Sequence, residues 1–551
     1  MRPAPSDDVT SYGPSVDPGW SVMSGVYCRP MFRSPHPEID IPNLTLTEYV
    51  LGGAREFGDR PAFVDGLSGR TLSFGALLDQ VRALAAGLSL SHRVGKGDVV
   101  AIWAPNVLEY PVVFHAVVSL GAILTTINPA YTTPEVSFQL RDANVKLLVT
   151  TAALAARARE AVEAAAASIE IVTIDDGPGL TPLASIGSDI DPPAVAIDPF
   201  NDVAVLPYSS GTTGLPKGVM LTHRNLVANL AQLDAIEGDI SALVGVLPFF
   251  HIYGMVVIMN FGIVRGATVV TLPRFDLEAF LGALQNWRIP TVHIAPPIAV
   301  ALAKHPLVDR YDLSALNCVF SAAAPLGIEL TEAVERRLSV TVRQGYGMTE
   351  ASPATHFSVA GFVRRGKVGT LIPGTECRIV DPSTGLDVGV GEVGEVWARG
   401  PQVMKGYLNN PEATAATVDA DGWLHTGDIG FVDEDGFLEV TDRLKELIKV
   451  KGYQVAPAEL EGLLLKHPKV ADAAVIPVKD EEAGERPKAF IVASEAATAE
   501  EICAFVEAHV AHYKRLAQVE FVDAIPKSPS GKILRRVLVE RDRASTRTPV
   551  S

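Results

Sequence analysis

The chain has 551 residues, 48% of them hydrophobic, which is too long for one ordinary domain and ample for more than one buried core. A net charge of −17 argues against DNA, RNA or an anionic membrane surface as the main partner, because each of those rewards a basic face. Cys28, Cys318, Cys377 and Cys503 are widely scattered and fit neither a disulfide framework nor a zinc site, so a soluble protein of a reducing compartment, the cytoplasm, is expected.

Residues 1–40 are rich in Pro, Ser and Asp, lack periodicity and carry no signal-peptide pattern, so they read as a flexible N-terminal segment. Short Val/Ile-rich segments then alternate with helical ones. Val99 to Trp103 precedes a helix reaching Leu120, and Ala122 to Ile127, Lys146 to Thr150 and Ile169 to Ile174 follow. This β-α-β alternation predicts largely parallel sheets covered by helices. The nearly apolar run from Tyr110 to Ile127 is interrupted by Pro111, His115 and Gly121, and reads as a buried helix passing into a strand rather than a membrane span. Ala152 to Ala167, with Arg and Glu interspersed, predicts a surface helix. A second α/β series runs from Ala242 to Leu272 and on to Val319. Beyond Asp442 the elements shorten, with strands predicted at Val470 to Val478, Ala489 to Ala493 and Glu520 to Val522. The division expected is therefore 1–40, 41–442 and 443–551.

The segment Tyr208-Ser209-Ser210-Gly211-Thr212-Thr213-Gly214-Leu215-Pro216-Lys217-Gly218 combines what a nucleoside triphosphate tail needs. Glycines permit close backbone approach, hydroxyls and N–H groups donate, and one lysine adds charge. The P-loop spacing is absent, and the flanking runs Asp202 to Pro207 and Val219 to Thr222 read as strands. The loop thus tips a hairpin, and a helix dipole is not its phosphate anchor.

This loop resembles the phosphate-binding signature of the adenylate-forming superfamily, which includes acyl-CoA synthetases, 4-coumarate:CoA ligases, firefly luciferase and the adenylation domains of peptide synthetases. The resemblance recurs in order over about residues 40 to 540 and is nearest to 4-coumarate:CoA ligase. It implies a large N-terminal layered αβαβα domain and a small mobile α+β C-terminal domain. It also implies ATP, Mg²⁺ and coenzyme A as cofactors and co-substrates, and a small-molecule carboxylic acid as substrate, with no nucleic acid and no integral membrane association.

Site residues follow from the matching motifs. Ser209, Ser210, Gly211, Thr212, Thr213, Gly214 and Lys217 would bind phosphates. In Gly345-Tyr346-Gly347-Met348-Thr349-Glu350, Tyr346 would stack on adenine, Gly347 would allow approach, Thr349 would reach the α-phosphate and Glu350 would hold Mg²⁺. Asp428, in Trp423-Leu424-His425-Thr426-Gly427-Asp428, would accept from both ribose hydroxyls with help from Arg443, while His425 reads as a packed or turn histidine. Lys445 occupies the hinge position. Lys449, Lys451, Gly452 and Gln454 belong to the loop used for thioester formation, and Lys532, in Pro526 to Arg536, would bridge the substrate carboxylate and the α-phosphate.

Pro248-Phe249-Phe250-His251-Ile252-Tyr253-Gly254 is similar to the 4-coumarate:CoA ligase segment in which the histidine guides the carboxylate and the tyrosine lines the acyl pocket, which implies those roles for His251 and Tyr253. Ala322, Ala323, Gly345, Gly347, Pro353 and Ala354 would form the other walls and floor. Small walls opposite a tyrosine suit a flat aromatic acid, although apolar pockets discriminate methylenes by only about 1–3 kcal/mol each. A positive site around Lys449 and His251 is expected to raise the thiolate fraction of the incoming thiol. Three departures from the plant coumarate ligases leave the chemistry alone and bear on the substrate: Ala322 replaces Gly, Ala354 replaces Val, and Trp397 replaces Cys. A medium- or long-chain fatty acyl-CoA synthetase, a luciferase-like oxygenase and a carrier-protein-dependent adenylation module share these motifs. A non-catalytic adenylate-binding protein is the rival from outside the enzymes.

Overall fold

The computed structural model describes residues 31–177, 179–209, 216–451, 453–480, 483–528 and 531–547. Ser210, Gly211, Thr212, Thr213, Gly214 and Gly452 lie outside them, as do Cys28 and the side chain of Gln454.

Four sheets build the large unit. The eight-stranded sheet runs Gly406–Tyr407, Lys217–Thr222, Val203–Ser209, Ile123–Thr126, Val99–Trp103, Val145–Thr150, Glu170–Thr173 and Thr181–Pro182 in spatial order. From Val203–Ser209 to Thr181–Pro182 its neighbours are parallel, as the alternating pattern predicts, and the first two pairings are antiparallel. The helix Tyr110–Ser119 crosses between two of these strands with Tyr110 to Val118 all buried. Among the described residues no helix is long and apolar enough to cross a membrane. The Ala-rich run opens as a 3₁₀ turn, Ala152–Leu154, and continues as the helix Ala155–Ala165, burying Ala155, Ala158, Ala161 and Ala165 along one face. It ends at Ala166 in the left-handed conformation (φ 52°).

The second α/β series divides between two sheets. Ala242–Gly245 and Thr268–Thr271 pair in parallel and join Pro61–Asp65, whereas Thr291–Ile294, Cys318–Ser321 and Thr341–Gly347 form the parallel part of a separate five-stranded sheet. Strand spacing along the chain marks each strand but does not say which neighbour it will choose. The fourth sheet is antiparallel and includes Gly394–Arg399, Leu424–Val432 and Leu438–Arg443.

The C-terminal unit has its own sheet and core. Val470–Asp480 and Gly484–Ala493 form a long antiparallel hairpin, Gln518–Phe521 adds in parallel, and Ile448–Val450 with Tyr453–Val455 completes the sheet. Ile448, Val455, Leu460, Leu464, Val475 and Ile491 are fully buried within it. Leu438–Arg443 is hydrogen-bonded into the large unit, so Arg443, counted above with the C-terminal part, sits on the large unit's sheet.

Candidate active site

One cavity of about 560 Å³ lies where the eight-stranded sheet, the Thr341–Gly347 strand and the C-terminal unit meet. Its phosphate end is built on the predicted hairpin: Val203–Ser209 and Lys217–Thr222 pair with Lys217 opposite Ser209. Glu350, only 5% exposed, follows the Thr341–Gly347 strand in a 3₁₀ turn. Ser209 Oγ donates to Glu350 Oε1 at 3.0 Å and Tyr407 Oη donates to the same oxygen at 2.8 Å. Lys217 Nζ lies 4.7 Å from the centre of the Tyr407 ring.

This end fits a magnesium ion carried with a nucleotide. Among the described residues no cluster of three or more His, Cys, Asp or Glu side chains is placed to hold a metal, so a dedicated protein cage is not what these residues offer. Magnesium ordinarily takes one or two carboxylates plus phosphate oxygens and water, and a cavity-lining carboxylate with one oxygen already fixed suits that role.

The nucleoside end is set by strand register. Asp428 and Arg443 are direct cross-strand partners on Leu424–Val432 and Leu438–Arg443, and Arg443 Nε lies 3.2 Å from Asp428 Oδ1. Tyr346 Oη donates to Asp428 Oδ2 at 2.7 Å, and burial, reinforced by Asp428, pushes the tyrosine hydroxyl far above its ordinary pKa, so it stays a donor. Each carboxylate oxygen keeps a further lone pair for a ribose hydroxyl. Gly347 is required by space: a Cβ there would stand 1.9 Å from the Pro353 carbonyl oxygen. His425 stacks on Trp397 at 3.7 Å with an 11° interplanar angle, the packed histidine expected.

Lys532 reaches the cavity from the C-terminal unit. Gly531, at φ +82°, takes a left-handed turn so close to the large unit that a Cβ would come within 2.7 Å of Pro297 Cδ. Burial, and then the Arg443 guanidinium, pull the Lys532 pKa down to about 8. The described lysines of the segment expected to serve thioester formation are elsewhere. Lys449 is exposed with its N–H bonded to Glu485, Lys451 is exposed at φ 49°, and neither lines the cavity. Lys445 is exposed where the two units join, at the cavity rim.

The expected positive site of Lys449 and His251 is not formed. His251 is drawn down to a pKa of about 4 by burial and by Lys532, so it is neutral at pH 7, and Lys449 is outside the cavity. Tyr253 N–H donates to His251 Nδ1 at 3.3 Å, which leaves Nε2 as the protonated nitrogen.

At the acyl end, Tyr253 is buried with its hydroxyl 3.1 Å from His293 Nδ1. Ala322, Ala323, Gly345, Pro353 and Ala354 line the same cavity together with it. Sequence reasoning missed the wall behind them, Phe320 stacked on Phe357 with centroids 4.4 Å apart. It also missed Tyr407, whose Lys405-Gly406-Tyr407 setting shows no ligand-binding pattern and which reaches the site through its strand's pairing with Lys217–Thr222 at Val219.

The model of the AMP-binding enzyme family matches residues 52–408, and that of the AMP-binding enzyme C-terminal domain matches residues 459–532. The chain belongs to the AMP-binding enzymes. This AMP-binding enzyme is 45% identical to 4-coumarate–CoA ligase 2 of Oryza sativa subsp. japonica over 92% of its own length and 94% of the relative's. To 4-coumarate–CoA ligase 2 of Petroselinum crispum it is 43% identical, over 92% and 96%. Among solved structures it is similar to the anthranilate CoA ligase AuaEII in complex with anthranoyl-AMP (TM-score 0.84, 26% identity, 93% of this chain and 99% of that one). ATP-bound MatB from Rhodopseudomonas palustris superposes with a TM-score of 0.81 at 27% identity, covering 90% and 99%. The AMP-binding enzyme is an acid–thiol ligase of the AMP-forming class, and such ligases use ATP, Mg²⁺ and coenzyme A.

Proposed function

We propose that this enzyme joins 4-coumarate or a related hydroxycinnamic acid to coenzyme A through an acyl-adenylate, in the cytoplasm. The observation that carries the substrate class is the acyl end of the cavity. Tyr253 and the stacked Phe320–Phe357 pair line the slot together with Ala322, Ala323, Gly345, Pro353 and Ala354, an aromatic and small-residue lining that suits a flat ring. The free thiols of Cys318, Cys377 and Cys503 accord with a reducing compartment.

The first step needs no general base. A carboxylate is ionised at neutral pH and attacks the α-phosphorus once charge repulsion is cancelled, and pyrophosphate leaves with its bonding pair. Lys217 and Lys532 supply positive charge from opposite units, and Asp428 with Arg443 holds the ribose. Magnesium bound at Glu350 supplies further charge neutralisation on the phosphates. His251 Nε2–H is a neutral donor for the substrate carboxylate. In the second step the coenzyme A thiolate attacks the acyl carbon and AMP departs. Lys449, Lys451, Gly452 and Gln454 serve this step after the C-terminal unit turns about Lys445, replacing the Lys532 loop.

Pyrophosphate release by the purified enzyme with ATP and Mg²⁺ tests this reading, over cinnamic, hydroxycinnamic, benzoic and C6 to C16 fatty acids, each with and without coenzyme A. The expected result is coenzyme A-stimulated turnover greatest on 4-coumarate or caffeate. A preference for fatty acids would overturn the substrate assignment and leave the reaction class standing.

A further inference from the structure

We propose that Tyr407 is a positioning residue that sets both the metal-binding carboxylate and the phosphate-binding lysine before ATP arrives, an inference that rests on the adenylate-forming reading above. Tyr407 lies on the two-residue strand Gly406–Tyr407 at the edge of the eight-stranded sheet, opposite Val219 and so two residues from Lys217. Its backbone is held on both sides. Its N–H donates to Thr414 Oγ1 at 2.9 Å, and the next N–H, that of Leu408, donates to Gly218 O at 2.8 Å. The side chain is 7% exposed and borders the cavity.

From that fixed frame the side chain acts in two directions. Its hydroxyl and that of Ser209 both donate to Glu350 Oε1, at 2.8 and 3.0 Å. Two donors on one oxygen stop the carboxylate rotating, and among the described residues no hydrogen bond falls on Oε2. The hard oxygen that a divalent cation prefers is therefore presented in one orientation. The ring face meanwhile carries Lys217 Nζ at 4.7 Å, within cation–π range. An aromatic face steadies an ammonium without adding an anion that would compete with phosphate. An Asp or Glu in its place would neutralise the lysine and repel the nucleotide.

Two substitutions separate the two actions. Tyr407→Phe keeps the ring under Lys217 and deletes the donor to Glu350; Tyr407→Leu removes both. Mn²⁺ affinity of the enzyme with a non-hydrolysable ATP analogue is read by electron paramagnetic resonance, and metal-free analogue affinity by calorimetry. Acid-dependent pyrophosphate release is followed alongside. Tyr407→Phe is expected to weaken Mn²⁺ binding about tenfold, the size of one hydrogen bond to a charged group, while metal-free analogue affinity and the KM for the acid stay within about twofold. Tyr407→Leu is expected to lower metal-free analogue affinity as well, by about threefold to tenfold.

Wild-type Mn²⁺ affinity in Tyr407→Phe would overturn the carboxylate half of the proposal. Equal analogue affinity in the two variants would overturn the lysine half. Thermal melts check folding; if Tyr407→Leu does not fold, Tyr407→Phe decides the carboxylate half and Tyr407→Met, a longer side chain without a ring, takes the place of Tyr407→Leu for the lysine half. A wild-type enzyme that neither binds the analogue nor releases pyrophosphate would overturn the adenylate-forming reading and this proposal with it, a result distinct from any difference among variants.

Discussion

Lys532 holds a charge that its surroundings oppose, because burial and Arg443 both favour the neutral amine, at a pKa of about 8. The protonated form is the one that neutralises phosphate, so adenylation by the free enzyme should be full below about pH 8 and decline as pH rises through it. A kcat/KM profile for ATP checks this, and Lys532→Arg should lose that alkaline limb because guanidinium stays charged. Lys532→Ala should lower pyrophosphate release about 100- to 1000-fold with the melting temperature unchanged. The two glycines flanking Tyr346 make a contrasting pair. At Gly347 an added Cβ meets backbone at 1.9 Å, which cannot yield, so Gly347→Ala should destabilise by about 3 kcal/mol or more and abolish adenylation. At Gly345 it meets the edge of the Phe320 ring at 3.0 Å, so Gly345→Ala should fold and raise the KM for ring-bearing acids, as steady-state kinetics would register.

Whole elements are located by buried charge as much as by apolar contact. Arg535 opens the helix Arg535–Arg547 three residues after Lys532. It makes a two-pronged bond to Glu461, 2.8 Å to each oxygen, and reaches Glu446 at 2.9 Å. Glu461 belongs to Pro457–Leu464 and Glu446 to the turn after the hinge, so one guanidinium fixes the start of the last helix, and with it the Lys532 loop, against the rest of the small unit. Removing one partner from a buried pair strands the other. Arg535→Met should therefore cost the C-terminal unit about 3–5 kcal/mol, measured by hydrogen exchange of its core strands, and slow adenylation through a misplaced Lys532.

At the scale of the whole molecule, the described residues join the two units through contacts of modest strength. The Lys466–Glu329 ion pair at 2.5 Å joins half-exposed side chains and is worth little. Asp442 accepts from Ala458 N–H at 2.9 Å, and Gly531 rests on Pro297. Contacts of this kind would let the C-terminal unit leave and return, as the proposed second step requires. Among the described residues the Lys445 N–H makes no backbone hydrogen bond, so proline there removes none while fixing φ. Lys445→Pro should keep adenylation within about threefold and slow thioester formation at least about tenfold, with single-turnover measurements of each half-reaction as the check.

The sequence by itself determined what depends on neighbours along the chain. The Ser/Thr/Gly string between two strands, the parallel character of the sheet around Val99–Trp103, and the residue types proposed to bind ligand at Lys217, Glu350, Asp428 and Lys532 are local strings with local physical reasons. Tertiary structure decided what depends on register and packing across the chain. Asp428 meets Arg443 because two strands pair at that register, and Tyr407 meets Glu350 because an edge strand lies beside the phosphate hairpin. Phe320 and Phe357 close the acyl slot because strands Cys318–Ser321 and Ala354–Phe357 flank the same central strand. His251 is neutral because the fold buries it and, as a second cause, brings Lys532, far away in sequence, close enough to lower its pKa further. Charge and shape at a site are sums over neighbours in space, and a linear string names those neighbours only after the fold has brought them together.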